Sequence, residues 1–163
     1  MMLKKVAILL VCLVFTSFSL GVQAEDTKVY DVPLTKILDV IEKTKGTRRV
    51  VLIWRSKDKK ASRKLLAEFS DLENTVPDSI ISISDDTDPL ALRGYLKTIP
   101  ILPFKVLRAQ KKTGQNINLV LRKLGAEPVK GYPAILLLNE DNTINAQGRI
   151  YIDYAVDFIV SQN

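Results

Sequence analysis

One short stretch of the sequence concentrates charged and hydroxyl side chains at the start of a predicted helix. Its members are Arg55, Ser56, Lys57, Asp58, Lys59 and Lys60. The first N–H groups of a helix are free and its dipole is positive there, so this end of a helix attracts anions. The stretch could therefore bind an acidic peptide, a phosphate or an anionic glycan. The plainer interpretation is a solvated surface, because acidic residues elsewhere in the chain, Asp85, Asp86 and Asp88, balance its charge.

Nucleophilic and metal-dependent catalysis lack their usual side chains in this sequence. The chain has a single cysteine, Cys12, and no histidine. Histidine is the commonest general base and metal ligand, so its absence excludes a Ser-His-Asp triad, a Cys-His dyad and a typical zinc site. Asp58 has no second carboxylate at a useful spacing, and capping the helix accounts for it. We therefore expect no catalytic residue, no metal and no cofactor.

Residues 1–24 have the pattern of a cleaved signal peptide. Lys4 and Lys5 precede an apolar run over residues 6–21, and a site of small residues ends at Ala24. The run is shorter than the roughly 20 residues that span a bilayer, so we expect cleavage and no stable membrane anchor. The expected compartment is the periplasm, with secretion beyond the outer membrane left open.

Cleavage after Ala24 would leave residues 25–163, a length typical of one domain. The 24 basic residues would fall to 22 with the loss of Lys4 and Lys5, and against 18 acidic residues the net charge would be +4. This charge is too small to indicate a nucleic-acid partner by itself. Cys12 would also be removed, so the mature domain would keep its fold without a disulfide.

Hydrophobic periodicity predicts strands that alternate with helices, which indicates a central sheet with parallel βαβ units. The predicted strands are residues 50–54, 79–84, 103–107 at a sheet edge, 134–138 and 144–152, the last two as a hairpin. The predicted helices begin at residues 31–33, 58, 88–89, 117 and 153. Trp54 closes an apolar strand, so we expect its side chain in the core.

Three segments of the sequence resemble one known family in their order and spacing. A strand ending in Trp54 leads into a polar turn and a helix, and residues 80–84 lead into the helix at Asp88-Pro89. Gly131-Tyr132-Pro133 then enters an apolar strand, and an acidic turn leads back to Gly148-Arg149-Ile150. Together these segments resemble the periplasmic TlpA/ResA-like thiol oxidoreductases. The resemblance implies a thioredoxin-like α/β fold over residues 25–163, with a central mixed sheet between layers of helices.

The resemblance fails at the residues that carry the family's chemistry. When Trp54 is set on the family's tryptophan, Asp58 and Ala61 stand where its two cysteines would be. The family attacks disulfides with a thiolate at a helix N-terminus, which neither side chain can do. The resemblance therefore implies a redox-inactive domain. It also implies that Pro133 follows a cis peptide bond and borders a groove for an extended chain.

Three functional hypotheses are left open. The first is a protein-binding or scaffold module of the bacterial cell envelope. Its groove would lie between residues 55–60 and Tyr132–Pro133, and its partner would be an envelope or secreted protein or peptide, acidic if the basic stretch contributes. The second is a thiol-disulfide oxidoreductase-related protein that works with the cysteines of a partner. The third is an anion-binding module that uses residues 55–60. No nucleic-acid partner is expected.

Overall fold

The computed structural model describes residues 26–161, so the expected signal peptide lies outside the described residues. Six strands of the described chain form one mixed sheet. They are β1 (Val29–Pro33), β2 (Arg49–Trp54), β3 (Ile80–Ser84), β4 (Val106–Gln110), β5 (Ala134–Leu138) and β6 (Ile144–Gly148). Their order across the sheet is β1-β4-β3-β2-β5-β6. The first four strands in this order are parallel, while β5 runs antiparallel to both β2 and β6.

Helices cover both faces of the sheet. They are α1 (Ile37–Glu42), which continues a 3₁₀ turn (Leu34–Lys36), α2 (Lys59–Thr75), α3 (Pro89–Leu96), α4 (Asn118–Lys123) and α5 (Ile152–Val160). Helices α2, α3 and α5 pack on one face, and α1 and α4 pack on the other. This arrangement confirms the expected α/β fold with three layers. Between residues 26 and 161, none of the helices has the length and hydrophobicity of a membrane span.

Strand β2 lies in the middle of the sheet and is buried along its whole length. Its side chains alternate between two hydrophobic cores, one beneath α2 and the other beneath α1. A strand covered on both faces needs a continuous apolar run, which is the signal that residues 50–54 carry in the sequence. Trp54 is 0 % exposed, and its indole N–H donates to Ser82 Oγ at 2.9 Å. Its expected place in the core is confirmed.

Strand β1 was not expected, because the sequence predicts a helix that begins at residues 31–33. The strand is short and largely exposed, and it pairs only with β4 at one edge of the sheet. Pro33 ends it at this edge, where a missing N–H donor disturbs the sheet least. The helix follows through the 3₁₀ turn and buries Leu34, Ile37 and Ile41, as the periodicity predicts.

Strand β4 lies inside the sheet, so the prediction of an edge strand over residues 103–107 was wrong. The strand begins at Val106 and pairs on both sides, with β1 and with β3. Pro103 lies before the strand rather than in it. The error follows from the first one, because a neighbour that is not recognised leaves β4 looking like an edge.

Three aspartates predicted at helix starts have different roles. The Asp88 side chain accepts a hydrogen bond from the Leu90 N–H at 2.8 Å, and Pro89 occupies the first turn of α3, which confirms this cap. Asp58 occupies the N-cap position of α2, but its side chain makes no cap hydrogen bond. Asp153 lies in the first turn of α5 rather than before it, since the helix begins one residue earlier.

Strand β6 ends at Gly148, before the end predicted from residues 144–152. Gly148 has a φ of +116°, which residues other than glycine rarely adopt. The chain therefore leaves the sheet at this point. Residues 149–151 become a connection from β6 to α5, and this connection borders the groove described below.

Candidate functional site

The carboxyl ends of β2, β3 and β4 meet the start of β5 at one end of the sheet. Ligand sites of open α/β sheets lie in the loops at this end, because each parallel strand releases its chain there. Arg55 follows β2, Asp85 follows β3, Lys111 follows β4, and Tyr132 comes shortly before β5. The topology therefore brings together four side chains from distant parts of the sequence.

The Asp85 carboxylate accepts hydrogen bonds from the other three side chains. Arg55 Nη2 lies 2.8 Å and Tyr132 Oη 2.6 Å from Asp85 Oδ2, while Lys111 Nζ lies 2.8 Å from Oδ1. The Asp85 side chain is only 2 % exposed. Two cations and a phenol thus compensate one buried carboxylate. We call these four residues the Asp85 cluster.

The surroundings of the cluster fix the protonation of its members. Burial alone would raise the pKa of Asp85, but hydrogen bonds from Lys111, Tyr132 and Arg55 outweigh it and hold the pKa below its ordinary value. The pKa of the Tyr132 phenol is raised, first by burial and then by its hydrogen bond to Asp85. Asp85 is therefore ionised and Tyr132 protonated at neutral pH. Tyr132 acts as a donor rather than a base, which suits an anchor better than a proton-transfer site.

A second contact joins Arg55 to Tyr132 directly. The guanidinium carbon of Arg55 lies 3.7 Å from the centre of the Tyr132 ring, within range of a cation–π interaction. The Tyr132–Pro133 peptide bond that follows is cis, which confirms the expectation for Pro133. The Asp85 cluster therefore ties the turn between β2 and α2 to the loop that enters β5.

The buried side chain of Asp86 also stabilises the turn between β2 and α2. Its carboxylate accepts from the backbone N–H of Ser56 at 2.9 Å and from the hydroxyl groups of Ser56 and Ser84, each at 2.7 Å. Ser56 is 5 % exposed. The turn after β2 is thus fixed by two consecutive aspartates at the end of β3.

The basic stretch of residues 55–60 divides into two parts in the structure. Arg55 and Ser56 belong to the folded framework, so these two are not the free surface groups that a solvated or docking face would present. Lys57, Lys59 and Lys60 are exposed around the N-terminus of α2, and Asp58 between them is partly buried. An exposed basic surface therefore comes from the three lysines alone.

A groove of about 760 Å³ opens beside the cis peptide bond. Tyr132 and Pro133 line it, as expected, but residues 55–60 do not. Its opposite wall is the next part of α2, from Ala61 to Glu68, and its third wall is the connection from β6 to α5. The groove therefore lies about one helical turn further along α2 than the sequence suggested. Ala61, which the resemblance sets at a cysteine position, faces it.

The loop that enters β5 presents backbone to this groove. Within residues 26–161, the N–H and C=O groups of Gly131 and Tyr132 make no backbone hydrogen bond. Tyr151 lies at the third wall and is 85 % exposed. Unpaired backbone beside an apolar groove can pair with an extended chain, while an exposed aromatic ring can cover its side chains.

Sequence reasoning missed Asp85, Asp86 and Lys111 as site residues. The two aspartates were interpreted as charge that balances the basic stretch. A signal was present, since two acidic residues directly after a buried strand fall at the carboxyl edge of the sheet. The partners of Asp85 were not readable, because they lie 26 to 47 residues away in sequence. Among the described residues, no group of three acidic side chains is placed to hold a metal ion.

Comparisons with known proteins agree with the fold. No protein-family model matches the chain, and no curated protein matches it. Among solved structures, a protein from Chlorobium tepidum assigned as the thiol:disulfide interchange protein DsbE is similar, with a TM-score of 0.59 and 16 % identity over 74 % of this chain and 83 % of its own.

Two further structures carry names that mention location. The exposed lipoprotein thioredoxin of Streptococcus pneumoniae has a TM-score of 0.55 and 14 % identity, over 74 % of this chain and 89 % of its own. A secreted disulfide oxidoreductase of Mycobacterium tuberculosis has a TM-score of 0.52 and 14 % identity, over 74 % of this chain and 85 % of its own. Sequence identities this low show only that the chain and these structures share a fold. The chain therefore has a thioredoxin-like fold, and the solved structures it resembles are thiol:disulfide oxidoreductases.

Proposed function

We propose that this protein is a redox-inactive thioredoxin-like domain that binds protein segments as a scaffold in the bacterial cell envelope. One observation carries the proposal. A groove of about 760 Å³ lies beside a cis peptide bond and unpaired backbone, while Asp58 and Ala61 occupy the positions that the resemblance assigns to cysteines. A binding surface is thus present without the groups for thiol chemistry.

Redox inactivity rests on the chemistry of the side chains. Thiol–disulfide exchange needs a thiolate as the attacking group. Cys12, the one cysteine of the chain, lies in the expected signal peptide. The turn after β2 is held instead by carboxylates, through Arg55 to Asp85 and Ser56 to Asp86. These contacts hold the turn without offering a group that could attack a disulfide.

The cell-envelope location is supported by the basic and apolar pattern of residues 1–24. Two structural neighbours have names that describe them as secreted or as an exposed lipoprotein. We expect the exported protein to begin at Glu25. Its intact mass after export tests this, and a mass that includes residues 1–24 or a lipid on Cys12 would refute it.

The binding function is tested with random nonapeptides selected on the purified domain. Ala61→Trp places a large ring in the groove, while Ala67→Trp changes an exposed alanine of α2 that does not line it. Selected peptides should bind wild type and Ala67→Trp alike and lose most of their affinity for Ala61→Trp. If no selected peptide distinguishes the two variants, the groove is not a peptide site.

The anion-binding alternative has one observation in its favour. Lys57, Lys59 and Lys60 are exposed at the N-terminus of α2, and Asp58 leaves the first N–H groups of the helix without a side-chain cap. Binding by this surface would weaken steeply as salt rises and would survive Ala61→Trp. The second hypothesis, a role together with cysteines of a partner, would appear as thiol exchange only when that partner is present.

A further inference from the structure

We infer that the groove is polarised by charge and takes an extended segment with an acidic residue at one end and a basic residue about three positions away. The inference rests on the proposed function, since it names the chemistry of the partner for the same groove. The inference rests on two observations: the direction in which the walls of the groove run, and the identity of the charged groove residues that have no ion-pair partner within the described part of the chain.

The two long walls of the groove run in the same direction. Helix α2 carries the chain from the end of β2 to the start of β3, which is parallel to β2, so α2 runs antiparallel to β2. Strand β5 also runs antiparallel to β2. Ala61 and Pro133 therefore lie at one end of the groove, which we call the Pro133 end. Glu68 lies seven residues beyond Ala61, about 10 Å further along the helix.

Two unpaired cations lie at the Pro133 end. Lys130 directly precedes Gly131 and Tyr132, whose backbone is free. Arg149 follows Gly148, which pairs with Ile135 near the start of β5. Both cations line the groove and are exposed. Neither has a carboxylate within 4.0 Å among the residues that the structure describes.

An acidic residue is fixed towards the other end. The backbone N–H and C=O of Glu127 bond the side-chain amide of Gln147, at 2.9 and 2.6 Å. Gln147 pairs with Leu136, further along β5 than Ile135. Glu127 is therefore held beside the later part of the groove, which we call the Glu127 end. Glu68 also lines this part, but its Oε1 lies 3.7 Å from Lys64 Nζ. Glu127 is therefore the acidic residue that can pair with a basic side chain of a bound segment.

Part of the groove lining is apolar. Leu65, Val129, Ile150 and Ile152 line the same groove as the charged residues. An extended chain covers about 10 Å in three residues. The complementary segment therefore carries its acidic side chain at the Pro133 end, apolar residues in the middle and its basic side chain at the Glu127 end. A phosphate or a glycan would use only the first of these features.

Four nonapeptides test the inference. All four share an apolar centre and differ at two positions that lie three residues apart. The first peptide carries an acidic and a basic residue there, the second two acidic residues, the third two basic residues, and the fourth no charged residue. We expect the mixed peptide to bind tightest, by about two- to fivefold over the others, since exposed ion pairs contribute modestly. Lys130→Glu with Arg149→Glu should make the peptide with two basic residues the best ligand. Lys112→Glu with Lys123→Glu, two exposed lysines outside the groove, should leave the order unchanged.

The outcomes separate this inference from the proposed function. Equal binding of all four peptides, still lost in Ala61→Trp, would overturn the polarity and leave the peptide site intact. Tightest binding of the doubly acidic peptide, unchanged in Glu127→Lys, would replace the polarised groove by a simple anion site. Failure of all four peptides to bind would overturn the inference. If library selection also yields no groove-dependent peptide, the proposed function fails with it.

Discussion

Arg55 and Tyr132 donate to the same oxygen of Asp85, from the turn after β2 and from the loop before β5, and the guanidinium also stacks on the ring. One buried carboxylate thus holds the turn after β2 and the loop that enters β5 at a fixed distance. Lys111 occupies the second oxygen, so the carboxylate is fully engaged.

Asp85→Asn should destabilise the domain by about 2–4 kcal/mol, because it leaves two cations at a buried site without their counterion. Urea unfolding monitored by Trp54 fluorescence measures the change. Asp71→Asn, an exposed position on α2, is the control and should change stability by less than about 0.5 kcal/mol. A similar small change for both variants would mean that the cluster does not stabilise the fold.

The Asp85 cluster should also shape the acid limb of the stability curve. The folded pKa of Asp85 lies below its ordinary value, so between the two pKa values the unfolded chain binds more protons than the folded one. Its contribution is therefore present above the unfolded pKa and is lost as pH falls through the folded pKa. Unfolding free energies between about pH 5 and pH 2 should fall less in Asp85→Asn than in wild type. Parallel curves would contradict this assignment.

Charge reversal should separate the two parts of the basic stretch. Arg55→Glu places a carboxylate beside Asp85 and should cost about 1–3 kcal/mol of folding stability. Lys57→Glu with Lys59→Glu changes two exposed side chains and should cost less than about 0.5 kcal/mol. Melting curves of the two proteins decide the point, and equal losses would show that the three side chains share one role.

A protein of residues 25–163 should show no disulfide reductase activity. Residues 25–163 contain no cysteine, so insulin reduction with dithiothreitol should proceed at the uncatalysed rate. For the same reason, the melting temperature should not depend on reductant. Catalysed turnover by a preparation free of other proteins would contradict the redox-inactive proposal.

The features that the sequence revealed are those with a local cause. The apolar run of β2 reports burial on both faces, and the Asp88-Pro89 pair reports the start of α3, because each signal lies within a few residues. The family resemblance added the cis bond at Pro133. Strand β1 lacked such a signal, since a short edge strand needs neither a continuous apolar run nor a fixed alternation.

Long-range pairing was the part that the sequence could not supply. Arg49 is one of the chain's 24 basic residues and nothing near it in sequence marks it as buried, yet it is 0 % exposed. Its guanidinium donates to Thr44 Oγ1 at 2.7 Å and to Asn142 Oδ1 at 2.6 Å, and the second of these partners is 93 residues away. Asp85 is a similar case. A charged residue next to a buried strand can face solvent or a distant partner, and only the tertiary structure decides between them.

The hydrogen bonds that Ser56 donates to Asp86 affect how the groove can adapt to a partner. A turn that joins a strand to a helix ordinarily opens early in local fluctuations. Here the Ser56 N–H donates a hydrogen bond to the buried carboxylate of Asp86. Its hydrogen exchange should therefore be as slow as that of β2 rather than that of a loop. The α2 wall would stay rigid on every timescale short of unfolding. Accommodation of different partners would then fall to the opposite walls, residues 128–131 and 149–151, so induced fit at this groove would be one-sided.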